Sequence, residues 1–495
     1  MAETYSEETD SHANIEASAP KPEIKDEESF SEQSKGMYLD TIDRQRLDFD
    51  FEKLCTVSLS NINVYGCLVC GKYYQGRGQT SHAFFHSIHE EHHVFINLTT
   101  LKVYILPDGY EVHDASLEDI KYVIQPTFTK EQVVALANTS PPKFSFDLSN
   151  KKYLPGYVGL NNIKSNDYIN VIIQALVHVP PIRDFLPLEQ IRSLFFSTRK
   201  IWNPKAFKGL VSPHELLQEI SNASDKQFKI TTQVEPVQFL SWFLHRLHRD
   251  LGGSKKRESI ITRTFQGDVH TNILTMTNSD TMSYEERRSS ATSKFYFLTL
   301  DLPPPPLFSD EMEENIIPQI PLSKLLEKFN GVTKQETGTE IRKYSLHHLP
   351  PYLILYIKRF GKNNWSTEKN PTIVNFPIQN LSLVDIISEA GNKTNIEDLV
   401  KYNYNLLSNI SCQGGKEPGE GQYFIHNYHP GLDQWFQIQD LTVTPALHQM
   451  LFLSESYLQI WERKDVIELP VIAKDPEMPS VSAQEPDTKR AKLSD

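Results

Sequence analysis

Residues 159–176 read GLNNIKSNDYINVIIQAL. Asn166 is placed to cap a helix that opens at Asp167, and Pro180 with Pro181 ends it. The helix is apolar nearly all round, so it is expected to lie buried in a core. A second helix follows in 235–253, EPVQFLSWFLHRLHRDLGG. Pro236 suits its first turn, and Gly252 with Gly253 stops it. Its apolar stripe is Val237, Leu240, Leu244, Leu247 and Leu251; His245 and His248 fall off that stripe and are expected in solvent.

Beyond these helices the chain changes character. KFYFLTLDL (294–302), YLILYIKRF (352–360), QYFIHNYH (422–429), WFQIQD (435–440) and YLQIWER (457–463) are short β-branched and aromatic runs between turn signals. Helices first and antiparallel strands later predict an α+β domain over 150–465. Residues 278–293, NSDTMSYEERRSSATS, read as a polar surface insertion. No internal repeat is present.

Upstream, 37–146 forms a second ordered region. It holds Cys67 and Cys70 two residues apart, then His86 and His92. Two thiolates from one tight turn chelate a single ion, and two histidines close a tetrahedral shell, the usual plan of a closed structural zinc site. Thiolates are soft ligands that favour zinc over hard cations. SHAFFHSIHEEHH (81–93) opens a helix at Ser81 and repeats histidine at one-turn spacing, at His82, His86, His89 and His93. Cys55, His82 and His89 are therefore alternative ligands. Four protein ligands leave no open position, so the metal is expected to be structural.

The bulk properties agree. The chain has 495 residues, 39% hydrophobic and 23% charged, with a net charge of −13. That charge disfavours wrapping of nucleic acid. Lys255, Lys256 and Arg257 make one basic loop, and Lys358 with Arg359 ends a strand. Direct RNA contact through them is not expected as the main role. Four cysteines are too few for a disulfide framework and point to a reducing compartment. No apolar run reaches membrane-spanning length and the polar N-terminus has no secretory pattern. Residues 1–36 read as a disordered acidic arm and 466–495 as a disordered tail. The tail carries Lys489, Arg490 and Lys492, a basic cluster of the type read for nuclear import.

CLVCGKYYQGRGQTSHAFFH (67–86) resembles the zinc finger of the ubiquitin-protease type. GLNNIKSNDYINVIIQAL, VEPVQFLSWFLHRLH, LPPYLILYIKRF, NPTIVNFPI and GEGQYFIHNYHPGLDQWFQIQDLTV fall in the order of the boxes of a ubiquitin-specific protease domain. The resemblance covers most of the chain. YLDTIDRQRLDFDFEKLC, GLNNIKSNDY and KNPTIVNFPI are similar, more narrowly, to the protease-like splicing factors of the spliceosomal tri-snRNP, inactive members of that superfamily. The resemblance implies a small α+β finger followed by a papain-like domain with a helical and an antiparallel β half. It implies one zinc ion on Cys67, Cys70, His86 and His92. Arg77 matches an arginine that captures the ubiquitin C-terminus in some fingers, and Tyr104 matches an aromatic contact there. Val64, Tyr65 and Gly66 stand where tryptophan is usual, and Leu106 where a second tyrosine is common.

The same resemblance places the nucleophile at Asp167, the histidine at Gln422 and its orienting residue at Gln439. The oxyanion segment reads Lys164, Ser165, Asn166, Asp167. A cysteine protease needs a thiolate, an imidazole to take its proton and a group to orient that imidazole. A carboxylate is a poor nucleophile towards amides, and glutamine neither takes nor gives a proton at neutral pH. Cys412, expected in a loop, has no box motif around it. Asp440 has no imidazole to orient and reads as a turn or strand-end aspartate. The expectation is a pseudoprotease: a non-catalytic nuclear splicing factor that holds tri-snRNP proteins together. The alternative is a ubiquitin receptor or deubiquitinase working through unusual residues.

Overall fold

The computed structural model describes residues 37–464 except 130, 133–134, 136–142, 186–193, 279–283, 305–316, 338–339, 363–366, 388–401 and 418. The acidic arm and the basic tail lie outside the described residues. The chain divides into two compact units, Met1–Leu47 with Lys53–Glu118, and Asp48–Glu52 with Asp119–Asp495.

The first unit is built on a five-stranded antiparallel sheet. Its strands are β1 (Val64–Cys67), β2 (Tyr73–Gln75), β3 (Val94–Asn97), β4 (Val103–Ile105) and β5 (Tyr110–Val112), in the order β2-β1-β3-β4-β5. Helix α1 (His82–His89) starts where Ser81 predicts: the Ser81 hydroxyl accepts from Phe84 N at 3.4 Å. Tyr65, Tyr74, Ala83, Phe95 and Leu106 pack a small core beside Cys67.

The sequence reading ran this unit to 146. The structure ends it at Glu118, inside a helical stretch continued by α2 (Glu118–Ile124). The physical reason is Phe128, which packs on the core of the second unit.

In the second unit, α3 (Asp167–Val177) is buried along its whole length. Asn166 sits at its cap position, but its side chain makes no cap bond. Its Oδ1 accepts from Ile163 N at 2.7 Å and its Nδ2 donates to Asn170 Oδ1 at 3.1 Å, so it folds the preceding loop instead. Helix α4 (Pro236–Asp250) has Pro236 in its first turn and buries Val237, Leu240, Leu244 and Leu247. His245 is exposed; His248 is not simply solvated, since its Nδ1 lies 2.8 Å from Ser259 Oγ.

The largest sheet of the β half comprises β6 (Leu298–Asp301), β7 (Tyr352–Lys358), β8 (Asn403–Gln413), β9 (Gln422–His429), β10 (Gln434–Gln439), β11 (Thr442–Ala446) and β12 (Ser456–Arg463), beside a separate four-stranded sheet of Gly267–Asn278, Tyr284–Phe295, Gln335–Thr337 and Glu340–His348. In the largest sheet the order is β6-β7-β12-β8-β9-β10-β11, with Leu381–Ser382 paired to β8. Strand β7 shows why its sequence is apolar without a break. Tyr352, Ile354 and Tyr356 face the core shared with α3 and α4, while Leu353, Leu355 and Ile357 face a second core with Trp435 and Trp461. Residues 284–293, read as part of a polar insertion, instead belong to a strand, Tyr284–Phe295, that pairs antiparallel with Gly267–Asn278.

The segment Asp48–Glu52 belongs to this unit although finger residues flank it on both sides. Asp50 pairs with the buried Lys200 and accepts from Ser212 N at 2.8 Å. Asp48 meets Lys208 at 2.5 Å. An Asp50→Ala change takes the carboxylate from the buried Lys200 ammonium but leaves its bond to Phe49 O at 3.0 Å, which costs about 2 kcal/mol. Denaturant unfolding of the full chain measures this, and an unchanged midpoint would refute it.

Candidate metal centre and candidate active site

In the finger, the β1–β2 turn delivers Cys67 and Cys70, α1 delivers His86, and the segment entering β3 delivers His92. Their ligand atoms all lie within 4.8 Å of one another. Cys70 Sγ is 3.5 Å from His86 Nε2, which is 3.0 Å from His92 Nδ1. Ligand bonds of about 2.0–2.3 Å in a tetrahedron put neighbouring donor atoms roughly 3.3–3.8 Å apart, so the four residues fit a zinc ion. The chemistry of the set agrees. The bond between the two thiols pushes Cys70 down and Cys67 up, so the pair shares one proton that a metal ion would displace. Burial pushes His86 down from the ordinary imidazole value, which keeps it neutral as a ligand must be.

The alternative ligands fall elsewhere. Among the described residues this is the one such group, and it excludes Cys55, His82 and His89. His93 places Nδ1 2.8 Å from Leu106 O and its ring against Tyr38. Arg77 and Tyr104 do come together: the guanidinium lies over the ring at 4.4 Å, and Nη1 donates to Gly109 O at 3.3 Å.

In the second unit, Asp167 heads α3 and is 6% exposed, with its carboxylate bound on several sides. Gln233 Nε2 lies 2.8 Å from Oδ1 and 2.8 Å from Oδ2, and Tyr423 N donates to Oδ2 at 3.1 Å. The same Gln233 amide donates to Gly421 O at 2.9 Å. Asp167 thus ties the start of α3 to the start of β9. Burial pushes its carboxyl above the usual range, while the bonds from Tyr423, Tyr168 and Gln233 pull it back. The other two positions that the resemblance points to bond to each other: Gln439 Nε2 donates to Gln422 Oε1 at 3.1 Å.

Cys412 is not in a loop. It ends β8, is 1% exposed, and its thiol is pushed up by burial. A Cβ at Gly421 would lie 2.7 Å from its Sγ, so the thiol is packed against that glycine's backbone. Asp440 is in the β10–β11 turn at φ 50, and its carbonyl accepts from Leu160 N at 2.9 Å. Arg359 is 1% exposed and donates to Ser456 O, Asn370 O and Thr372 O, so it is an internal tie rather than a surface cation. Sequence reasoning missed Gln233, which no motif marks; its place just before α4 was the only available signal.

Two buried histidines lie in the same unit, His178 just past α3 and His426 in β9. Burial pushes both His178 and His426 down to about 4, with a bond to Gln174 partly offsetting it for the first and Gln437 for the second. A depressed folded value means stabilisation that is full above the unfolded value of about 6.5 and lost as pH falls towards 4. By about pH 5 each contributes a loss of about 2 kcal/mol. The carboxyls of buried Asp167 and of half-buried Asp440 and Glu462 are raised and act in the opposite sense. The comparison of wild type with His426→Leu isolates the histidine part: the variant should fall less in stability between about pH 7 and pH 5. Parallel pH curves would contradict this assignment.

This chain belongs to the ubiquitin carboxyl-terminal hydrolase family, whose model matches residues 158–461. The model of the zinc finger found in ubiquitin hydrolases and other proteins matches residues 55–117. The chain is 48% identical to ubiquitin carboxyl-terminal hydrolase 39 of Homo sapiens, over 86% of this chain and 80% of that protein. It is 45% identical to the probable mRNA-splicing protein ubp10 of Schizosaccharomyces pombe, over 89% of this chain and 91% of the relative. A crystal structure of an essential yeast splicing factor superimposes with a TM-score of 0.69 at 30% identity, covering 86% of this chain and all of that one. The mixed α+β architecture of a finger followed by a protease-type domain is that of the family.

Proposed function

We propose that this protein is a non-catalytic pre-mRNA splicing factor of the nucleus, acting in assembly or maintenance of the tri-snRNP through protein–protein contacts. The observation that carries the non-catalytic part is the Asp167 carboxylate bound by Gln233 and Tyr423, beside a Gln422–Gln439 pair. That arrangement has no thiolate and no imidazole, so it supports neither attack on an amide nor protonation of the leaving amine. The relatives' names support the splicing part. In this reading Cys67, Cys70, His86 and His92 hold one structural zinc ion that folds the finger.

Arg77 and Tyr104 are engaged with each other and with Gly109, which supports weak or absent capture of a ubiquitin tail. The test is a tagged pull-down from nuclear extract at moderate salt, with ubiquitin titrated separately by NMR. The expected result is recovery of tri-snRNP proteins and their small RNAs, and no shifts at high micromolar ubiquitin. Recovery of ubiquitinated proteins without snRNPs would overturn the reading in favour of a ubiquitin receptor.

A further inference from the structure

Three serines of this chain have a lysine or arginine at both the third and the second position before them: Ser259, Ser290 and Ser345. Two cations at that spacing suit the acidic groove of a serine kinase, an enzyme class that reads its substrates by charge pattern. The fold separates the three. Ser259 is 5% exposed and caps the helix Ile260–Phe265. Its N–H donates to Thr262 Oγ1 at 2.9 Å, and its Oγ lies 2.8 Å from His248 Nδ1. Ser345 is 7% exposed, within the strand Glu340–His348, where it stands between His270 and Asn330. Neither hydroxyl reaches a second enzyme while the chain is folded. Ser290 does. It belongs to Tyr284–Phe295, the last strand of the four-stranded sheet, and among the described residues no strand pairs with its outer edge. Residues Ser289–Lys294 are all exposed, so both faces of the strand meet water as well. The strand already has the extended form in which a kinase threads its substrate. Asn272 stands opposite Ser290 in the register, with His270 and Leu274 at the diagonal positions and Lys343 opposite Asn272 on the next strand. These positions carry no carboxylate, so a phosphate added at Ser290 meets no like charge across the sheet.

We propose that Ser290 is a phosphorylation site for an arginine-directed serine kinase, with Arg287 and Arg288 as the cations that the kinase recognises. In the transfer, Ser290 Oγ forms a bond to the γ-phosphorus of ATP. The bond from that phosphorus to the β–γ bridging oxygen breaks, ADP leaves, and the hydroxyl proton passes to the catalytic carboxylate of the kinase. The product carries a charge of about −1.5 to −2 at neutral pH and three strong acceptor oxygens. It sits on an exposed strand edge, the kind of place at which a change of charge alters association with a neighbour. The vacated protease position at Asp167 takes no part in it.

The inference does not depend on the splicing reading, and no outcome of its test bears on that reading. The full chain is incubated with Mg²⁺ and ATP, once with the catalytic subunit of cyclic-AMP-dependent protein kinase and once with a whole-cell extract. Modified residues are mapped by mass spectrometry. A synthetic peptide of residues 284–295 sets the rate for a fully accessible site. The expected result is phosphate at Ser290 from both sources, with the purified kinase labelling the folded chain within about tenfold of the peptide rate. An Arg287→Ala, Arg288→Ala variant should be labelled at least about tenfold more slowly. Ser289→Ala should be labelled at Ser290 like wild type, and Ser290→Ala should lose that label. Four results overturn the proposal: a peptide that is not labelled, a peptide labelled more than about tenfold faster than the folded chain, labelling that ignores the two arginines, or an extract that leaves Ser290 unmodified. Preferred labelling of Ser259 or Ser345 by the purified kinase overturns it as well, since the fold buries both.

Discussion

A Cys70→Ala chain will carry no zinc, and its finger will not fold. Metal binding supplies on the order of 10 kcal/mol to domains of this kind, and a sheet of short strands around a small core has no other source of that size. The finger's core is packed against the site itself: the Tyr74 ring stacks on His86 at 4.2 Å and Phe95 meets the same ring edge-on. Loss of the ion removes the point at which β1, α1 and the start of β3 meet. Metal analysis should fall from one ion per chain to none, and the finger amides should collapse to unfolded shifts. The second unit has its own cores and should keep its transition. A metal-free variant with intact finger amides would show that hydrogen bonds alone hold this domain.

The second large effect concerns an attempt to put the protease back. An Asp167→Cys chain should lose about 1–2 kcal/mol of stability, because Tyr423 N loses its acceptor and the Gln233 amide keeps only Gly421 O, while removal of a buried carboxylate offsets part of the loss. Adding Gln422→His and Gln439→Asp does not restore that acceptor. The expected outcome for the triple variant is a weakened domain without measurable release of a ubiquitin C-terminal amide. Wild-type stability in Asp167→Cys would mean that the carboxylate is incidental. Turnover by the triple variant would mean that the cleft stayed competent and had lost only its reactive groups.

Much of this was legible from residues. Strand β7 is apolar on both faces because it lies between two cores, and six apolar or aromatic residues in a row, Tyr352 to Ile357, announce such a strand. The Cys-x2-Cys turn announced the metal centre; choosing among its histidines needed geometry, since His82, His86, His89 and His93 all recur at one-turn spacing. Tyr284–Phe295 was hidden because a strand rich in Ser, Glu and Arg carries no period-two apolar signal. The Asp167 brace was hidden for another reason. Its partners come from 66 and 256 positions away, and local pattern contains no information at that range.

The short acidic segment at 48–52 has a consequence for how this protein can be taken apart. A fragment starting at Asp119 or later would look like a clean protease-like module on paper. It would leave behind the carboxylates of Asp48 and Asp50, and with them the counter-ions of Lys208 and Lys200. The excised piece would keep Lys200 and Lys208 without the carboxylates that face them, where a segment of its own chain belongs. It would be prone to capture acidic segments of whatever surrounds it. The two modules are spliced through each other along the chain, so neither can be shuffled into a new protein by a single cut.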